Sequence, residues 1–207
     1  MKKIISIEGN IGSGKSTIIE KLKQEKLNII FLPEPVDVWN QIKDLNGTTI
    51  LEKYYKDNKK YSFSFQMMAY ITRLSQLKKA IDSAPNDSII ITERCLYTDR
   101  FVFAKMLYDY GDIEHIEYSI YLKWFDEFMD FKMSGIIYMQ TLPEICFERI
   151  KIRNRKGEEN IPLEYLRNCH NYHEEWIKNT SIPVSILNAN NGTNICIETF
   201  LIFIYLF

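Results

Sequence analysis

The run Gly9-Asn10-Ile11-Gly12-Ser13-Gly14-Lys15-Ser16, followed by Thr17, fills the pattern GxxxxGK[ST] directly after an apolar, β-branched stretch and before a helix-forming one. This motif constrains the fold more than any other feature, because it works only where a strand turns into a helix. The glycines allow successive backbone N–H groups to point inward around a phosphate, and the helix N-terminus adds the positive end of its dipole. Lys15 is suited to reach β- and γ-phosphates, and the Ser16 hydroxyl to hold Mg²⁺. A glycine-rich turn that matched by accident would have no reason to sit at such a junction. The implied ligand is ATP or a similar nucleoside triphosphate, but the loop does not say where the phosphoryl group goes.

Apolar, β-branched runs of strand length recur at Lys3–Ser6, Asn28–Leu32, Ser88–Thr92, Gly135–Gln140 and Val184–Leu187, with helical periodicity between them. Strands separated by helices predict an α/β fold with a parallel sheet wrapped on both faces. Tyr61–Ala80 and His115–Lys132 are long, aromatic-rich and free of Gly and Pro, which predicts helices that do more than cover the sheet. No repeat or flexible linker marks a second domain, so residues 1–207 read as one unit, with the charged segment 154–160 as its most mobile part. The apolar end, Phe200–Phe207, is shorter than the roughly 20 residues a bilayer demands, and a terminal helix docked on the core is expected.

Lys and Arg number 26 against 27 Asp and Glu, a formal net charge of −1, which argues against a broad basic face for nucleic acid. Small anions need only local cations and remain possible. The cysteines Cys95, Cys146, Cys169 and Cys196 are scattered without a CxxC pair and read as free thiols of a reducing interior. With no targeting peptide or membrane span visible, a cytoplasmic location is expected.

In an open parallel sheet the carboxyl ends of the strands face the ligand crevice. Glu34 lies just beyond the second predicted strand, where a carboxylate can accept the proton of an attacking hydroxyl; a surface turn residue between Pro33 and Pro35 fits it equally well. Glu93 and Arg94 end the third strand, where the carboxylate can orient Mg²⁺ and the guanidinium can bridge donor phosphate and acceptor oxygen. An ordinary surface ion pair is the plainer alternative. Arg149, Arg153 and Arg155 supply cations to a loop able to close over phosphates, or else simply a solvated basic helix end. His170 and His173 beside Cys169 occupy one helical stretch without a second ligand cluster, and packing explains them better than a metal.

The ordered series IEGNIGSGKST, EPVDVW, SFSFQ, ERCLYTDRFVFA, RIKIRNRKGEENIPLEYL and HNYHEEW closely resembles the cellular deoxynucleoside kinases, the group that includes deoxycytidine, deoxyguanosine and mitochondrial thymidine kinases and the insect multisubstrate enzyme. The likeness runs from Ile7 to about Trp176. It implies a P-loop kinase fold with a five-stranded parallel sheet and an arginine-bearing lid, ATP-dependent phosphorylation of a deoxyribonucleoside 5′-hydroxyl in nucleotide salvage, and a homodimer. Position by position, Glu34 resembles the general base and Arg94 the arginine that holds the 5′ oxygen and phosphate. Glu93 resembles the Mg²⁺-side carboxylate, and Arg149, Arg153 and Arg155 the lid arginines. Tyr55 with Glu158, or the adjacent Glu159, resembles the pair that binds the 3′-hydroxyl. Cys95 departs from the usual Glu-Arg-Ser and is a weaker hydrogen-bond donor of similar shape.

Gln66 matches the base-reading glutamine, and Trp39, Leu51, Phe65 and Phe103 match pocket walls, with Phe65 or Phe103 stacking on the base. Without the resemblance these aromatics would be read as core. Arg73 and Asp99 match the charged pair of the deoxycytidine and deoxyguanosine kinase-like members, where thymidine-accepting relatives carry uncharged residues. Asp99 as an acceptor favours the exocyclic amine of cytosine or adenine and opposes the 4-oxo group of thymine; Arg73 could instead donate to the 6-oxo group of guanine. Deoxycytidine and purine deoxynucleosides are thus the expected substrates. The rivals are a broad-specificity kinase that includes thymidine, a nucleotide kinase of the thymidylate kinase type, and a non-catalytic structural subunit, the last disfavoured by the presence of Lys15, Ser16, Glu34 and Arg94.

Overall fold

Five short apolar runs pair side by side in parallel in the computed structural model, which describes residues 2–25, 28–159, 161–191 and 197–205. The strands are β1 (Lys3–Glu8), β2 (Ile29–Leu32), β3 (Ile89–Glu93), β4 (Gly135–Gln140) and β5 (Val184–Asn188), in the order β2-β3-β1-β4-β5. Ile5 and Ile7 of β1 pair with Ile91 and Glu93 of β3 on one side and with Gly135 and Ile137 of β4 on the other. Near-continuous apolar strands buried on both faces are what a covered parallel sheet demands.

The helices are α1 (Lys15–Gln24), α2 (Val36–Gln41), α3 (Ile50–Lys56), α4 (Asn58–Ser83), α5 (Leu96–Thr98), α6 (Lys105–Asp109), α7 (His115–Phe128), α8 (Pro143–Arg153), α9 (Leu163–Asn179) and α10 (Ile197–Tyr205), with a π-helical turn at Asp99–Ala104 between α5 and α6. On one face of the sheet, Ile18, Ile19 and Leu22 of α1 and Phe200 and Ile204 of α10 pack on Ile5, Ile7, Ile91 and Ile137. On the other, Leu77 and Ala80 of α4, Val102 of the π-turn and Trp176 of α9 pack on Ile4, Ile90, Ile136 and Tyr138. The terminal helix therefore docks on the core, as expected of an apolar segment too short to span a bilayer. Among the described residues no helix is long and apolar enough to cross a membrane.

Local chemistry explains the boundaries. A capping box starts α3, with Glu52 N–H bonded to Thr49 Oγ1 and Thr49 N–H to Glu52 Oε2, and the Asp57 side chain caps α4. The helix expected over His115–Lys132 stops earlier, at Phe128. Phe131 and Met133 leave the helix to pack against the core beside the sheet, and Ser134 N–H bonds Ile4 O to lead into β4. Cys95, Cys146 and Cys169 are free and buried, as expected; Cys196 lies outside the described residues.

His173 on α9 is fully buried, with Nδ1 2.7 Å from Cys169 O and its ring stacked 6.1 Å from Tyr138. Burial, and then the charge of Arg94, push it down to about 3. The unfolded chain takes up a proton near pH 6.5 that the folded chain refuses, so this contribution is complete above pH 6.5 and is lost as pH falls toward 3. The urea midpoint of the wild type is expected to fall more between pH 7 and pH 5 than that of His173→Gln; equal falls would refute the assignment.

Candidate active site

One cavity of about 370 Å³ opens above the carboxyl ends of β1, β2 and β3. The phosphate loop forms its floor. Gly14 has φ 98° as the residue before α1, and Gly12 has φ 78°, where an added Cβ would sit 2.6 Å from Cys146 O of α8. A side chain at Gly12 would force the loop off α8. Ile11, Gly12, Gly14, Lys15, Ser16 and Thr17 line the cavity, whereas Gly9, Asn10 and Ser13 support it from behind. Asn10 Nδ2 donates to Leu166 O of α9 at 2.8 Å, and Ser13 O accepts from Arg149 at 3.4 Å.

Lys15 Nζ donates to Asn10 O at 2.8 Å and Gly9 O at 3.1 Å, folded over the loop it would serve. Burial, reinforced by the like charge of Arg94, pushes its ammonium down to about 7. Ser16 Oγ donates to Glu93 Oε1 at 2.8 Å, which brings the two expected Mg²⁺-side groups together. Among the described residues there is no cluster of three or more His, Cys, Asp or Glu able to hold a metal alone. A hydroxyl with one carboxylate is nonetheless the sort of partial donor set Mg²⁺ uses beside substrate phosphates.

Glu34 and Arg94, from separate strand ends, meet at 2.9 Å. Arg73 of α4 reaches Glu34 at 3.4 Å, donates through Nε to Asp99 Oδ2 at 3.0 Å and through Nη1 to Glu93 O at 2.8 Å. Burial opposes the charge on Glu34, but Arg94 and then Arg73 outweigh it and hold the carboxyl down to about 2. Burial pushes Asp99 upward against the pull of Arg73. Arg73 and Asp99, singled out together in the sequence, thus form a buried ion pair, and the same guanidinium links Asp99 to Glu34 and Glu93 O.

Trp39, Leu51, Tyr55, Phe65, Gln66, Phe103 and Glu158 line the same cavity. Phe65 stacks on Tyr54 at 4.5 Å and meets the edge of Trp39 at 5.3 Å. Phe103 carries the Arg94 guanidinium 5.0 Å from its ring centre. Glu158 is buried and accepts from Arg153 and from Arg155, the latter at 3.1 Å, while Glu159 turns back to the Gly157 N–H at 2.7 Å. Of the two glutamates, Glu158 faces the site. Arg149 also lines it, and binds Ala189 O at 2.9 Å.

A family model described as "Deoxynucleoside kinase" matches residues 5–199. The chain belongs to the deoxynucleoside kinase family. It is 37% identical to a probable deoxycytidine kinase of fowlpox virus, over 91% of this chain and 79% of that one. It is 34% identical to human deoxycytidine kinase, over 88% and 78%, and 32% identical to a mitochondrial deoxyguanosine kinase of Xenopus laevis, over 91% and 78%. The protein is therefore a phosphotransferase on the P-loop kinase fold, with a nucleoside triphosphate as donor.

Sequence reasoning missed two tyrosines of this kinase. Tyr54 and Tyr165 both line the cavity, and their hydroxyls meet at 2.8 Å between α3 and α9. Burial raises both phenols, so neither ionises near neutral pH. No local motif announces such a pair; the only signal was the position of each beside a residue already singled out, Tyr55 and the IPLEYL segment.

Proposed function

We propose that this kinase phosphorylates the 5′-hydroxyl of deoxyribonucleosides with ATP, favouring deoxycytidine and the purine deoxynucleosides over thymidine, as a step of nucleotide salvage. The supporting observation is the buried Arg73–Asp99 pair at 3.0 Å in the same cavity as Lys15, Glu34 and Arg94. Asp99 accepts from the exocyclic amine of the base, Gln66 supplies a donor and an acceptor to the ring edge, and Phe65 packs on the ring. Tyr55 and Glu158 bind the 3′-hydroxyl.

Glu34 takes the proton of the 5′-hydroxyl as that oxygen bonds to the γ-phosphorus and the bond to the β-phosphate oxygen breaks. Its low pKa suits it to a loose transition state in which proton transfer is late. Arg94 moves its charge from Glu34 to the phosphoryl oxygens, which returns basicity to Glu34 at the moment it is needed. Lys15, Arg149, Arg153 and Arg155 neutralise the remaining charge, Arg153 from the end of α8 and Arg155 from the lid segment that follows it. Ser16 and Glu93 would hold Mg²⁺, which when bound offsets phosphate charge. One catalytic domain spans the chain. The exposed side chains Ile71 on α4 and Ile116, Ile120 and Trp124 on α7 offer an apolar face for the homodimer.

A nucleotide acceptor, as in the thymidylate kinase type, would need further cations for its own phosphate. At the acceptor end Arg73 is already paired with Asp99, and Tyr55 and Gln66 are uncharged. With ATP and Mg²⁺, deoxycytidine is expected to be converted to its 5′-monophosphate while dCMP and dTMP are left unchanged; consumption of dCMP or dTMP in preference to the nucleoside would overturn this reading.

Lys15 gives the site a pH dependence. With its pKa at about 7, the free site loses the ammonium charge as pH rises, whereas a bound triphosphate holds that proton. ATP affinity is therefore expected to weaken above pH 7, by at most about tenfold per pH unit. Calorimetry from pH 7 to 9 should show this in the wild type and a flat profile in Lys15→Arg, whose charge does not titrate. A flat wild-type profile would contradict it.

A further inference from the structure

Glu8 is a fully buried carboxylic acid that the transfer reaction leaves unused. It is the last residue of β1, and the residues on either side of it both hold Arg94. The Arg94 backbone N–H donates to Ile7 O at 3.0 Å, and Arg94 Nη2 donates to Gly9 O at 3.3 Å. The Glu8 side chain grips the same turn further on, because Thr98 Oγ1, also fully buried, donates to Glu8 Oε2 at 2.5 Å. Cys95 Sγ lies 3.7 Å from Thr98 Oγ1. The cysteine that departs from the family pattern thus sets its buried thiol against the same threonine.

Arg94 needs such bracing. Its φ is 63°, the left-handed region that a residue with a side chain avoids and that persists only where surrounding contacts over-determine it. Among the described residues its buried Nε has no hydrogen-bond partner, and the guanidinium is held by its Nη contacts and by the face of Phe103. Three consecutive residues, the last two of β1 and the first of the phosphate loop, thus grip Arg94 and the turn that follows it.

We propose that Glu8 is a positioning residue for Arg94, fixing through Thr98 the left-handed turn that delivers the guanidinium to Glu34 and the phosphate loop. This rests on the role given above to Arg94. Burial raises the Glu8 carboxyl above its ordinary range. Glu8→Gln keeps the shape of the side chain and an oxygen for Thr98, whereas Thr98→Val removes the tether and keeps the shape.

The test measures kcat, both KM values and the urea midpoint for Thr98→Val and Glu8→Gln, and for Thr98→Val in an Arg94→Ala background. Thr98→Val is expected to lower kcat roughly tenfold or more with nucleoside KM held within about twofold, as a misplaced transition-state contact does. Glu8→Gln should stay within about threefold of wild type, and Thr98→Val should add less than about twofold once Arg94 is gone. A Thr98→Val effect confined to the urea midpoint, or an equal kcat loss with and without Arg94, would overturn the proposal. If Arg94→Ala alone left kcat unchanged, the role of Arg94 itself would fall, and the positioning role with it.

Discussion

Glu34→Gln is expected to lower kcat by about 10²–10⁴-fold, the range for loss of a positioned general base, with a smaller change in nucleoside KM. The amide keeps the shape of the side chain but cannot take a proton from the 5′-hydroxyl. It also removes the counter-charge that Arg94 meets at 2.9 Å and Arg73 at 3.4 Å, so the two guanidinium groups repel where one carboxylate had held them. Glu34 is held at about 2, so it is ionised throughout the working range and contributes no acid limb to the activity profile above about pH 4. Turnover by a folded Glu34→Gln variant at the wild-type rate would remove the mechanism while leaving the fold intact.

The second large effect concerns the base. Changing Arg73→Gln and Asp99→Asn together should raise the ratio of thymidine to deoxycytidine kcat/KM by about 10²-fold or more, since discrimination resting on a buried polar group left unpaired is strong. The double change matters because Arg73 and Asp99 are a buried pair, and removing one charge alone strands the other. An asparagine can turn its NH₂ toward the 4-oxo group of thymine, which the carboxylate opposes. Steady-state kinetics with the two nucleosides reads the ratio directly; an unchanged ratio would mean that the base is selected elsewhere.

Much of this was legible in the chain because local pattern and tertiary placement coincide. The β-branched runs became strands with their ends displaced by at most two residues. Glu34, Glu93 and Arg94 were found by a topological argument, that strand ends in a parallel sheet face the crevice. Gln66 and Arg73 were not separable from ordinary helix positions without the family resemblance, because a polar residue on a long helix carries no mark of what it faces. The pairing of Glu158 with Arg153 and Arg155 required the chain to fold the segment after α8 back on itself. Glu8 escaped notice although a carboxylate that follows Ile4-Ile5-Ser6-Ile7 in one strand is a sign of buried polarity; only the approach of Thr98 from 90 residues away shows what it touches. The premature end of α7 has the same origin, for Phe131 and Met133 answer to the core beside the sheet rather than to helical periodicity.

The most direct measurement is a kinase assay of the purified protein with ATP and Mg²⁺ against deoxycytidine, deoxyadenosine, deoxyguanosine and thymidine. Higher kcat/KM for the first three, with 5′-monophosphates as products and thymidine the poorest acceptor, is the predicted result. Thymidine phosphorylated with higher kcat/KM than the other three would contradict the account.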